Sequence, residues 1–235
     1  MRDKNGLKSV QEYYDRYHYS DVRIKARTVS WHTRLIARRL GVLHGKRVLD
    51  VACGLGEWLD LLGRHGALTS GIDISERAVQ ACRDYLPTAD IRHGSADLLP
   101  WADASFDLVT CLGSLEHFPD PSLALEEMVR VAVDDAQFLI LVPNADFLTR
   151  RVGLYAGTQQ RQVREEVYPL SVWDTLLRKA GLIVNKRWRD LRPLGYRWIT
   201  SGPTEQWPLR AAQGMLLSLW PIAWQYQVYH LCRKA

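Results

Sequence analysis

VLDVACGLGEWLDLL, residues 48–62, decides how this 235-residue chain is read. VLDVA reads as a buried strand, with Asp50 set inside the apolar run three residues before a tight Gly-x-Gly turn. Gly54 and Gly56 lack a Cβ, so the backbone there can come close to a ligand. The amphipathic helix that follows, over 57–65, points its free N–H groups and its positive end at whatever the turn holds. This strand–turn–helix has the makings of a nucleotide-type cofactor site, although a plain structural turn can share the pattern.

Two cofactors use such a turn. A dinucleotide site asks for Gly-x-Gly-x-x-Gly, with the pyrophosphate on the helix N-terminus. The third glycine would fall at Leu59. Glu57 opens the helix, where a carboxylate repels a pyrophosphate, and Asp50 adds a second negative charge nearby. A ligand bearing an ammonium and a sulfonium is attracted by both, and its single carboxylate can take the helix end. The charge pattern favours S-adenosylmethionine over NAD.

The next segments extend the series. ALTSGIDIS (67–75) is a second short apolar strand ending in Asp73. An acidic residue about 20 positions beyond a glycine turn is placed to accept hydrogen bonds from ribose hydroxyls. Ser75 reads as an N-cap, and Ala78, Val79 and Cys82 give the next helix its apolar stripe. ADIRHGSADL (89–98) is a third strand ending at Ala96 and Asp97. Asp97 can accept from an adenine amino group, and Leu98 can cover the ring. Taken alone, Asp97 reads equally as a solvated loop carboxylate, the commoner fate of an aspartate. In SFDLVTCLGSLEHFPDP (105–121), FDLVTCL is a fourth buried strand, and the loop after it carries Glu116, His117 and Phe118. A helix over 122–132 buries Leu123, Leu125, Met128 and Val129, and AQFLILVPN (136–144) is the fifth strand.

VLDVACGLGEW, GIDIS, GSADLLPWADASFDLVTCLGSLEHFPDP and LVPN, in that order and spacing over residues 46–144, resemble the motif series of class I S-adenosylmethionine-dependent methyltransferases. The likeness is closest to the broad group of bacterial small-molecule and glycan methyltransferases. It implies an α/β, Rossmann-like fold: a seven-stranded, mostly parallel sheet with its last strand antiparallel and helices on both faces. It also implies a helical lid over residues 1–44 and a cofactor domain over 45–235, with an insertion at about 191–222. By this resemblance Asp50, Gly54 and Gly56 hold the methionine end of S-adenosylmethionine, which leaves as S-adenosylhomocysteine. Ala52 belongs to the same set. Asp73 takes the ribose, with Ile74 against the adenine. Ala96, Asp97 and Leu98 hold the adenine, and Leu112 lies beside the cofactor.

Composition agrees with one α/β domain plus additions, since 47% hydrophobic residues suffice for a full core. Cys53, Cys82, Cys111 and Cys232 are widely spaced and read as packed thiols of a reducing compartment. Without a Cys-x-x-Cys, no zinc site is expected. The polar start, MRDKNGLKSVQEYY, does not read as a signal peptide, and the longest apolar run, near MLLSLWPIAW (215–224), is too short to span a bilayer. The expected location is the cytoplasm, as a monomer or homodimer.

Charge is distributed unevenly. Residues 45–147 hold seven Lys/Arg against 17 Asp/Glu, residues 1–44 hold ten against four, and residues 148–235 hold 14 against five. In folds of this kind the flanks cap the sheet edge where ligands bind. A basic cap suggests an anionic acceptor, and solvated arginine faces are the competing explanation.

The N-terminal flank, LKSVQEYYDRYHYSDVRIKARTVSWHTRLIARRLGV (7–42), reads as one or two helices with a stripe of Val29, Leu35, Ile36 and Leu40 and a stop at Gly41. Relatives by resemblance fold such a segment over the cofactor, which makes Tyr14 and Tyr19 cofactor candidates. Trp31 and His32 are acceptor candidates, with core packing as the plainer role for any one of these aromatics. The C-terminal flank carries Trp173, Trp188, Trp198, Trp207, Trp220 and Trp224. SVWDTLLRKAGL is a helix stopped at Gly181, LIVNKRWRDL a sixth strand, and AWQYQVYHLCRKA the last. Residues 191–210, rich in Pro and Gly, read as a long loop or insertion, with a helix after them broken at Pro221. The tryptophans can thicken the core, line an acceptor pocket, or make a shallow peripheral contact with a membrane.

Methyl transfer is an in-line displacement, and the protein mostly aligns the nucleophile and excludes water. An oxygen acceptor also has to lose a proton. His117, just after the fourth strand, is the candidate catalytic base and acceptor contact, with Glu116 to orient it. Small-RNA 2′-O-methyltransferases place a Glu-His pair on this loop as metal ligands, with a further Glu three residues earlier. Gly113 stands there here, so no metal is expected. The reading is an enzyme that methylates O or N of a small, anionic metabolite, natural product or glycan precursor. An RNA methyltransferase and a non-catalytic S-adenosylmethionine-binding partner subunit are the alternatives. With no separate RNA-binding module in the sequence, nucleic acid is disfavoured as a partner.

Overall fold

The computed structural model describes residues 11–19, 29–153, 166–201 and 203–235, with Tyr17 and His18 described by backbone only. Strands β1 (Arg47–Val51), β2 (Leu68–Asp73), β3 (Asp90–His93), β4 (Phe106–Leu112), β5 (Ala132–Pro143), β6 (Leu182–Arg189) and β7 (Gln227–Lys234) form one sheet in the order β3-β2-β1-β4-β5-β7-β6. The first five run parallel, and β7 lies antiparallel to both β5 and β6. This is the seven-stranded Rossmann-like sheet that the motif series implied.

The helices are α1 (Trp31–Arg39), α2 (Glu57–Arg64), α3 (Glu76–Tyr85), α4 (Pro121–Val131), α5 (Leu148–Arg151), α6 (Leu170–Lys179), α7 (Tyr196–Ile199) and α8 (Trp207–Leu219). Local chemistry sets their starts. Ser30, Ser75 and Asp120 each accept a hydrogen bond from a first-turn backbone N–H, satisfying donors that the helix itself leaves open. Alternation along the strands sorts the core onto two faces. Leu49, Val109, Phe138 and Ile140 face a cluster with α4 and α6, where Trp173 is fully buried and its indole N–H donates to the Pro143 carbonyl at 2.8 Å. Val48, Leu108, Leu139 and Leu141 face a second cluster with α1 and α2.

Three segments depart from the sequence reading, the first being β3, which ends at His93 instead of Asp97. Strand β5 begins at Ala132 instead of Ala136, because Ala132 pairs with Phe106 across a register shift. The exposed Asp134 and Asp135 hide that start from a hydrophobicity pattern. Residues 191–210 are not one long loop. They form helical turns at Arg192–Leu194 and Thr204–Gln206, the short α7, and the first turn of α8. Pro193 and Pro208 sit in first turns, where a fixed φ and a missing N–H suit a helix start. Gly214 then lets α8 lie against Pro193, whose carbonyl oxygen would be 2.6 Å from a Cβ at that position.

Strand order reverses between β1 and β4. Ligands of open α/β sheets bind in the crevice at such a switch point, outside the carboxyl ends of the strands.

Candidate active site

The turn after β1 is shaped by its glycines and clamped by one carboxylate. Gly54 and Gly56 adopt φ of 52° and 80°, where side chains are strained. A Cβ on Gly56 would stand 2.5 Å from the Cys82 sulfur, so the second glycine permits the close packing of the turn on α3. A Cβ on Gly54 would stand 2.9 Å from the Tyr19 hydroxyl. The Asp73 carboxylate at the end of β2 accepts the Gly54 N–H at 2.8 Å on one oxygen and the Ser75 N–H at 2.9 Å on the other. One side chain therefore fixes both the glycine turn and the entry to α3. Burial raises its pKa, and the two N–H donors oppose the rise.

Asp50 lies behind this turn, buried, with Oδ1 accepting the Thr110 hydroxyl at 2.6 Å. The Trp58 indole N–H in turn donates to that hydroxyl oxygen at 3.2 Å. Burial pushes the Asp50 carboxyl up to about 7; the Thr110 bond opposes this and the Asp73 charge adds to it. An acid whose folded pKa exceeds its unfolded value stabilises fully below the unfolded value, and that contribution is lost as pH rises through the folded one. The window here runs from about pH 4 to pH 7. Thermal denaturation of the ligand-free chain should show a fall in midpoint between about pH 4 and pH 7 that is smaller in Asp50→Asn. An unchanged slope in the variant contradicts this placement.

A cavity of about 410 Å³ opens at the carboxyl ends of β1, β2, β3 and β4, within the size range of small-molecule sites. Its lining comprises Ile72, Asp73 and Ile74 from β2 and the turn after it, Gly94, Ser95, Ala96 and Asp97 after β3, and Ser114, His117, Phe118, Pro119, Asp120, Leu123 and Ala124 after β4 and at the start of α4. Tyr14, Tyr19 and Ala52 complete the lining. Asp15, between the tyrosines, accepts hydrogen bonds from the Ser75 hydroxyl and the Arg77 N–H, which ties this segment to the start of α3.

Of the residues singled out in the sequence, Tyr14, Tyr19, Ala52, Asp73, Ile74, Ala96, Asp97 and His117 line this one cavity. Asp50, Gly54 and Gly56 stand behind it as the framework of the turn. Leu98 is exposed and outside the lining, and Leu112 packs against the second core cluster. Trp31 and His32 are also outside it: Trp31 is exposed, and His32 lies near Gly195, 4.0 Å from where its Cβ would be. There burial lowers the His32 pKa, opposed by Asp190 and reinforced by Arg192. Sequence reasoning missed Ile72, Gly94 and Ser95, and also Ser114, Phe118, Pro119, Asp120, Leu123 and Ala124. The available signal was Asp120-Pro121, a cap and first-turn proline that point the start of α4 at the sheet edge.

Residues 49–140 match the model of a methyltransferase domain. The chain is 31% identical over 179 residues to a ubiquinone biosynthesis O-methyltransferase of Paracidovorax citrulli, covering 70% of this chain and 75% of that protein. It belongs to the class I S-adenosylmethionine-dependent methyltransferases. The 27-O-demethylrifamycin SV methyltransferase of Amycolatopsis mediterranei is 33% identical over 64% of this chain and 60% of its own length. The demethylmenaquinone methyltransferase of Staphylococcus aureus is 38% identical over 43% and 44%. Across the first four relatives the match spans 41% to 75% of their length. Among solved structures, magnesium protoporphyrin IX methyltransferase from Synechocystis PCC 6803 superposes with a TM-score of 0.64 at 16% identity, covering 97% of this chain and 99% of that one. A [4+2]-cyclase does so with a TM-score of 0.67 at 19% identity, covering 97% and 96%. At those identities the likeness concerns the fold alone.

The methyltransferase's cavity suits its cofactor. Among the described residues, its lining carries three aspartates, Asp73, Asp97 and Asp120, and no Lys or Arg. A pyrophosphate would find no cation there, whereas a sulfonium and an ammonium meet negative charge.

Proposed function

We propose that this methyltransferase methylates a hydroxyl oxygen of a small acceptor with an apolar, ring-like body. The observation that carries the proposal is the single cavity in which His117 and the apolar Phe118, Pro119 and Leu123 face the same space as Asp73. The printed activities of two relatives, an O-methyltransferase of ubiquinone biosynthesis and a 27-O-demethylrifamycin SV methyltransferase, support oxygen as the acceptor atom. Among the described residues, no Lys or Arg lines the cavity.

When bound, S-adenosylmethionine supplies an electrophilic methyl group on a sulfonium. In the proposal Asp73 accepts from the ribose with the lone pairs left over after Gly54 and Ser75, Ala96 and Asp97 hold the adenine, and Ile74 lies against it. His117 takes the hydroxyl proton at one ring nitrogen. Tyr14 and Tyr19, on the segment tied down by Asp15, act as part of an N-terminal lid that keeps water out.

The test is a transfer assay with isotopically labelled methyl donor and matched panels of phenols, aliphatic alcohols and amines. The proposal expects label on oxygen in the phenol panel. Label on the amines alone, or on the aliphatic alcohols alone, contradicts it.

A further inference from the structure

Helix α8 turns an apolar face outward. Its exposed positions are Pro208, Leu209, Ala212, Met215, Leu216 and Leu219. At 3.6 residues per turn these six fall within about 120° of one another around the helix. Leu209, Met215, Leu216 and Leu219 are 71%, 61%, 53% and 78% exposed among the described residues. A surface helix of a globular protein carries polar residues on that side. In α8 the polar side chains lie elsewhere: Arg210 donates to the Trp198 carbonyl at 2.7 Å, and the Ser218 hydroxyl to the Met215 carbonyl at 2.6 Å. Buried Gly214, against Pro193, fixes this rotation, since a Cβ in its place would collide.

The surroundings say what such a face fits. From Gln206 to the last residue the chain contains no Asp or Glu. At one end of the face lies α7, with exposed Tyr196 and Arg197, and Arg210 stacks over Trp198 at 5.1 Å. At the other end Gln225 donates to the Leu217 and Trp220 carbonyls, beside exposed Trp224. Asn144 donates to the Ala223 carbonyl at 2.8 Å and Phe147 packs on Tyr226 at 4.9 Å, and exposed Arg150 and Arg151 follow Phe147 in α5. Aromatic rings and arginines around an apolar stripe suit the headgroup zone of an anionic bilayer.

We infer that the outer face of α8 docks this protein on an anionic lipid surface. A helix of 13 residues is about 20 Å long. That is short of the roughly 30 Å hydrocarbon core, so it lies in the plane of the interface. No helix among the described residues is long and apolar enough to cross a membrane. The helix lies in the connection from β6 to β7, which leaves the sheet at the carboxyl end of β6. The inference does not depend on which atom is methylated.

Flotation of the full chain with vesicles tests it. The chain should float with phosphatidylglycerol-containing vesicles, much less with pure phosphatidylcholine, and be released by high salt. The double variant Leu216→Glu/Leu219→Glu should float at least tenfold less while keeping its affinity for S-adenosylhomocysteine. The milder Leu219→Gln gives the same contrast if the double variant loses that affinity. A wild-type chain that stays in the soluble fraction overturns the inference, as does a variant that floats unchanged. So does a dimer in sedimentation equilibrium that the variants dissociate without any vesicle binding, since a second copy then covers the face.

Discussion

Asp73→Ala should lower the affinity for S-adenosylhomocysteine by about two orders of magnitude or more in calorimetric titration. The wild-type carboxylate makes two short contacts, to the Gly54 and Ser75 N–H groups, and has lone pairs left for ribose hydroxyls. Hydrogen bonds to a charged group contribute about 1.5–3 kcal/mol each. Removal of the carboxylate takes away the ligand's partners and also releases the turn that shapes the site. The fold itself should survive, because Ser75 still caps α3 through Ala78 at 3.1 Å and the backbone bond from Cys53 to Ile72 at 3.0 Å is untouched. Asp73→Asn should fall between wild type and alanine, since its amide oxygen can serve one of the two N–H donors. An alanine variant that binds as tightly as wild type contradicts the assignment of this cavity to the cofactor.

His117→Ala should reduce turnover by about 10²- to 10⁴-fold, the range of a positioned general base. Affinity for S-adenosylhomocysteine should change little, because in the proposal His117 contacts the acceptor, whereas Asp73, Ala96 and Asp97 hold the cofactor. Raising the pH separates a base from a merely structural residue. As the acceptor hydroxyl ionises unaided, the deficit of the variant should shrink; a structural defect would persist at every pH. Full turnover in the variant removes His117 from the chemistry and leaves the cofactor site intact.

Much of this was legible in the sequence because it is local. The strand–turn–helix of residues 48–62 demands glycines at positive φ, and the acid at the end of the next strand falls where it can clamp that turn. The two apolar faces of the sheet follow from the alternation in β4 and β5. What stayed hidden is tertiary. Leu98 follows Asp97 directly, yet its side chain points to solvent, and nothing in a periodicity reports where a loop side chain turns. Trp31 and His32 look like neighbours of the tyrosines in the chain, but α1 carries them away from the cavity, toward Gly195. Strand β5 starts behind two exposed aspartates that break the apolar pattern. The sequence of α8 shows an apolar stripe, and a stripe ordinarily faces inward; only the seat of Gly214 on Pro193 reveals that this one faces out.

Titration of the purified wild-type chain with S-adenosylhomocysteine, followed by NADH, tests the cofactor assignment most directly. Binding of the first with micromolar affinity, and none of the second, is the predicted result. Binding of NADH, or of neither, would contradict it, because a cavity whose described lining has three aspartates and no Lys or Arg would then hold a pyrophosphate or hold no nucleoside ligand at all.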